Sequence, residues 1–173
     1  MRPTLPLLAA IVAGCLDHDP IPGGAGESFV AMQADFDGYR TWTDHTVEPE
    51  DTGHPDGART VYINTAPDGG TTFPVGTVIV KEIVGGDIHA MAKRGGGFNP
   101  DGAIGWEWFE LVTATDGSPV IKWRGTEAPE GEAYGQLPGS APEDTGDAVT
   151  GDCNTCHGAA VGNDYVHAIP LGG

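Results

Sequence analysis

The chain has 173 residues, of which 25 are Asp or Glu and 8 are Lys or Arg, giving a formal charge of −17 at pH 7. That balance argues against nucleic acid or an anionic membrane surface as a partner and suits a basic redox protein, or simply a soluble surface. A 39% hydrophobic content allows one core of ordinary size, and 28 Gly with 14 Pro favour short strands and many turns over a helical bundle.

The first fourteen residues carry one basic side chain, Arg2, and the apolar run Leu5 to Ala13, too short to cross a bilayer as a helix. They read as an export signal. Its end, Val12-Ala13-Gly14-Cys15, resembles a bacterial lipobox, so residues 1–14 are expected to be a lipoprotein signal peptide, with Cys15 lipidated and the protein anchored in the periplasm or cell envelope. The plainer alternative is a secretory signal with an incidental cysteine. Residues 15–27, rich in Pro and Gly, read as a tether, and the folded domain is expected over 28–173.

Phe29, Met32, Phe36 and Tyr39 fall near helical spacing and predict a short amphipathic helix to about Asp37. Thr46 to Gly57 reads as an acidic loop. Strands follow at Arg59–Asn64, Thr77–Val84, Asp87–Lys93, Gly105–Thr113 and Val120–Arg124, with Asn99-Pro100-Asp101-Gly102 and Thr115-Asp116-Gly117-Ser118 as turns. The expected class is α+β: an antiparallel sheet of about five strands with short helices packed on one side. Gly125 to Gly151 is a long acidic, Pro/Gly-rich loop leading to a last helix that Thr150 or Asp152 would cap.

That helix opens on Cys153-Asn154-Thr155-Cys156-His157. In a C-x-x-C-H run, two thiols three residues apart add across haem vinyl groups while the following imidazole binds the iron, so haem c is the expected cofactor. A zinc half-site needs four ligands and a thioredoxin-like pair needs a βαβ surround; neither is supplied. Two thiols to haem and Cys15 to lipid account for all three cysteines, and export suits haem c, which is attached outside the bacterial cytoplasm. Sixteen residues follow His157 and none is Met, so a sixth ligand comes from upstream or the distal face is open.

Lys81 is unusual on its own terms. Strand alternation puts it with Thr77, Ile79 and Ile83 while Val78, Val80 and Val84 occupy the other face, so both faces read as buried. Its amine would then reach solvent or Glu82, or serve a function.

Tyr39-Arg40-x-Trp42, Arg59-Thr60-Val61-Tyr62-Ile63, Phe73-Pro74-x-Gly76-Thr77-Val78-x-Val80-Lys81-Glu82, Trp106-x-Trp108-Phe109 and Cys153-x-x-Cys156-His157 with Asp164-x-Val166 occur in that order. The series resembles the cytochrome P-460 family and its relative, the β-sheet form of cytochrome c′, over roughly Tyr39 to Ile169. The resemblance implies an antiparallel sheet with helices, a haem held by Cys153, Cys156 and the single iron ligand His157, and an open distal face. In the hydroxylamine-oxidising branch a lysine is bonded to the haem edge, and that position falls on Lys81. The expected activity is oxidation of hydroxylamine to nitrous oxide or nitrogen oxides; the c′ branch lacks the bond and binds nitric oxide.

Arg59 matches an arginine near the distal pocket and Phe73 a residue packed over the haem. Their bland readings are a solvated strand-opening arginine and a core phenylalanine. A distal carboxylate should accept protons, with Glu107, Glu110, Glu132 and Asp147 as candidates. A plain electron carrier would instead take a second ligand from Met91, Met32, His18, His45, His54, His89 or His167. A homodimer is compatible with any of these readings.

Overall fold

The computed structural model describes residues 28–47, 58–67, 69–83, 88–129 and 153–171. Six strands pair in chain order as one antiparallel meander: β1 (Thr43–Val47), β2 (Arg59–Ile63), β3 (Val78–Ile83), β4 (Ile88–Lys93), β5 (Trp106–Thr113) and β6 (Pro119–Gly125). Of the four central strands, β2, β3 and β5 are rich in β-branched and aromatic side chains, which suit a pleated surface covered on both sides, while β4 buries mainly Ile88, Ala90, Met91 and Ala92. The predicted turn before β6 forms, with Gly117 at φ +86° and the Asp116 carboxylate accepting the Ser118 N–H at 3.0 Å.

The sheet has one strand more than the five expected. β1 begins inside the stretch that precedes the acidic loop, and its sequence, Thr-Asp-His-Thr-Val, offers no apolar alternation because an edge strand buries little. Its register runs from Thr43 opposite Ile63 to Val47 opposite Arg59.

The expected N-terminal helix is replaced by two 3-10 turns, Gln33–Phe36 and Tyr39–Thr41, separated by Gly38 at φ +67°. A left-handed residue interrupts the ladder that a continuous α-helix needs. The apolar stripe still does its packing: Phe36 and Tyr39 are buried, while Met32 is 60% exposed. Gln33 reaches β6, its side-chain N–H donating to the Pro119 carbonyl and its Oε1 accepting the Ile121 N–H at 2.9 Å.

Helical pieces cover both faces of the sheet rather than one. On the first face, Val61, Ile63, Ile79, Met91, Trp106 and Trp108 pack with Phe73 and with Val166, Ile169 and Leu171 of the C-terminal segment. On the second, Val78, Val80, Ala90, Phe109 and Leu111 pack with Ala31, Phe36 and Tyr39. Each face carries large apolar side chains, worth about 1.5–3 kcal/mol apiece when buried, so each recruits a cover.

The last helix is present as α1 (Cys153–Gly158), followed by a 3-10 turn at Val161–Asn163. Asn163 then ties the tail down, donating to the carbonyls of Val166 and Ile169 and accepting the Leu171 N–H at 2.9 Å. The expected signal peptide and tether, Cys15, most of the expected acidic loop, Glu132, Asp147, His18, His54 and the expected cap positions Thr150 and Asp152 lie outside the described residues.

Candidate functional site

Cross-strand register places one polar row on the first face. Reading across the sheet, it runs His45, Val61, Lys81, His89, Glu110, Trp123, each residue directly opposite the next. The neighbouring row, Ile63, Ile79, Met91, Trp108, is apolar. Arg59 lies on the same face, two residues along β2 from Val61 and almost fully buried.

α1 docks beside these rows through Asn154, the first variable position of the C-x-x-C-H run. Asn154 Oδ1 accepts from Trp108 Nε1 at 3.0 Å, the Ala103 N–H at 3.1 Å and Asn99 Nδ2 at 2.8 Å, and its own Nδ2 donates to the Thr126 carbonyl at 3.0 Å. The indole and the backbone amide can only donate, which fixes the amide's orientation. The approach is so close that a Cβ on Gly102 would fall 2.3 Å from Asn154 Cγ. Asn154→Ala is therefore expected to lose about 1–3 kcal/mol for each buried donor left without an acceptor, and Gly102→Ala to destabilise in the same sense; denaturant unfolding of each variant checks both.

Cys153 packs on the first apolar cluster, and Cys153 and Cys156 are thiols rather than a disulfide. The His157 ring lies 4.7 Å from Trp108 and 5.2 Å from His167, centroid to centroid. Its Nδ1 is 2.6 Å from the Tyr165 carbonyl oxygen; a carbonyl accepts only, so Nδ1 carries the hydrogen and Nε2 keeps its lone pair. Loss of water around the ring pushes its pKa down to about 4; the positive charges of Lys81 and His167 act in the same direction, and the Tyr165 hydrogen bond opposes them. The imidazole is neutral at pH 7, the form that binds a metal.

By register Lys81 lies in the row next to that of Trp108, on the face where the Trp108 ring meets the imidazole at 4.7 Å. The alternative partner Glu82 is engaged elsewhere, accepting from Arg40 Nη2 at 2.7 Å, Arg40 Nε at 2.9 Å and the Tyr39 hydroxyl at 3.1 Å. The Tyr39-Arg40 pair thus holds Glu82 on the second face while Lys81 faces the first. Phe73 is buried edge-on to Trp106 at 5.9 Å and donates its N–H to Asp164 Oδ2 at 2.8 Å.

Of the candidate carboxylates, Glu107 points to the second face, where Arg124 and Arg94 bind it at 2.7 and 3.3 Å. Glu110 points to the first, buried, accepting from Trp123 Nε1 at 2.8 Å and Lys122 Nζ at 3.0 Å. Among the candidate second ligands, His45 and His89 share the row of Lys81, and Met91 is buried in the adjacent apolar row. His167 donates from Nε2 to the Cys156 carbonyl at 3.0 Å.

Three contributors escaped the sequence reading: Asn154, the Lys93–Asp164 ion pair at 2.7 Å, and Gly102 as a contact rather than a turn residue. Only Asp164 carried a signal, as part of Asp164-x-Val166.

No family model matches the chain, and no curated protein or solved structure matches it either. The residues themselves fit a haem c. Two thiols stand three apart on one helix, followed by a neutral imidazole with Nε2 unprotonated, against a face lined by apolar side chains and Trp108. Among the described residues no group of three or more His, Cys, Asp or Glu is placed to hold a metal ion.

Proposed function

We propose that this chain is an exported mono-haem c-type protein of the cytochrome P-460 kind that oxidises hydroxylamine. The observation that carries the reading is that α1, with its two thiols and its imidazole, packs on the sheet face that Lys81 shares with Trp108, whose ring lies 4.7 Å from His157. Cys153 and Cys156 would hold the haem, His157 its iron, and Lys81 the macrocycle edge. Bound there, haem would supply the electron acceptor for a small nitrogenous substrate.

The chain's own groups supply the rest. Glu110, buried in the row of Lys81, is the carboxylate suited to take protons from a bound N–H or O–H. Arg59 places a buried guanidinium on the same face, suited to stabilise developing negative charge. Trp108, Val61 and Met91 exclude water from the surface between them. In this reading Cys15 carries the lipid and the acidic surface meets a basic electron acceptor.

Intact mass and tryptic mapping of the mature protein, with an absorption spectrum of its ferrous form, test the proposal. A haem peptide joining Lys81 to the Cys153–Cys156 segment, with a strongly red-shifted ferrous band, is expected. An unmodified Lys81 with a high-spin haem would replace it with the nitric-oxide-binding reading. A low-spin haem would replace it with electron transfer, which the position of His89 directly opposite Lys81 favours as the second reading.

A further inference from the structure

Asp164 is pinned at every hydrogen-bonding group it has. Its Oδ1 accepts from Lys93 Nζ at 2.7 Å, its Oδ2 from the Phe73 N–H at 2.8 Å, and its carbonyl from Trp106 Nε1 at 2.8 Å. Its N–H donates to the Val161 carbonyl at 3.2 Å. These partners come from β4, β5, the turn before β3 and the 3-10 turn after α1, so the residue is fixed to the sheet independently of α1 itself.

The backbone at this point is strained. Asp164 has φ +51° and Tyr165 φ +67°, two successive side-chain-bearing residues in the left-handed region. Such a conformation persists only where the surroundings over-determine it. Its result is that the Tyr165 carbonyl turns back on His157 Nδ1 at 2.6 Å. Freed of its contacts, the dipeptide would relax toward the β or right-handed region and carry that carbonyl away.

We infer that Asp164 is a positioning residue for His157: Lys93, Phe73 and Trp106 clamp it, and the clamp holds the Tyr165 carbonyl on Nδ1. The inference rests on the haem reading for its functional meaning, because an Nδ1–H bonded to a carbonyl makes Nε2 a stronger donor to iron and favours the oxidised metal. A merely structural ion pair would contribute to folding and leave the imidazole unaffected.

The test uses the mature haem-loaded protein and its Trp106→Phe and Asp164→Asn variants. The first removes the indole donor, together with part of the buried ring volume and its contact with Lys93, and the second keeps the side-chain shape while losing its charge. Both are expected to raise the haem midpoint potential by about a tenfold change in oxidised-to-reduced preference, about 59 mV for a one-electron couple, and to weaken the iron–histidine stretching band. Glu107→Gln, on the opposite face, should lower the melting temperature without moving either. A potential and band equal to wild type in a folded variant would overturn the clamp. If the wild-type protein carries no haem, the functional proposal fails instead, and 15N NMR of His157 in the full chain decides the clamp alone. An Nδ1–H tautomer in wild type, depleted in Trp106→Phe, supports it; an Nε2–H tautomer in wild type overturns it.

Discussion

Replacing Lys93 with alanine should lower the unfolding free energy by about 3–5 kcal/mol, the cost of leaving one member of a buried ion pair alone. Lys93 is 7% exposed and Asp164 6%, and with the ammonium gone the Asp164 carboxylate keeps only the Phe73 N–H among its described donors. The lysine also donates to the Ile104 carbonyl at 3.2 Å and stands 5.0 Å over the Trp106 ring, so both contacts are lost with it. Urea unfolding of the two proteins measures the difference. A loss below about 1 kcal/mol, the range of exposed pairs, would show that water reaches the site and that the pair is not the anchor its burial indicates.

The second large effect concerns turnover. If the proposed function holds, Glu110→Gln is expected to reduce hydroxylamine oxidation by about 10²–10⁴-fold, the usual contribution of a positioned proton acceptor, while haem content and the ferrous spectrum stay unchanged. Glutamine retains the contact with Trp123 Nε1 but cannot take a proton. Glu110→Asp should recover part of the rate, since it restores a carboxylate on a shorter stem. Steady-state assays of the three proteins, matched for haem, decide the matter. Equal turnover in Glu110→Gln would remove this residue from the reaction.

Much of the sheet was legible because its central strands alternate or run apolar between turn residues; each predicted strand from Arg59 onward is found, with ends moved by a residue or two. β1 was not, since an edge strand of Thr, Asp, His, Thr and Val is held by backbone pairing to β2, which leaves no pattern in side chains. The N-terminal stripe forms two 3-10 turns instead of the one expected helix, because apolar spacing of three to four residues does not distinguish an α-helix from two such turns around Gly38. At the site, the C-x-x-C-H run announces itself locally. What docks it does not: Asn154 meets Trp108 across 46 residues and Asp164 meets Lys93 across 71, so neither pair exists until the register of the sheet is fixed. The choice between Glu107 and Glu110 follows from parity once Trp108 is known to face α1, a fact of packing rather than of composition.

The contact of Gln33 with β6 bears on how this sheet meets other chains. An edge strand is a template on which a foreign segment can crystallise into a fibre, and its readiness depends on how many main-chain groups stand waiting. Pro119 has no N–H to offer, and its carbonyl and the Ile121 N–H are already occupied by a side-chain amide that imitates a peptide unit. An incoming strand must evict that mimic before its first two bonds can form, which makes growth from this edge a competition instead of a simple addition.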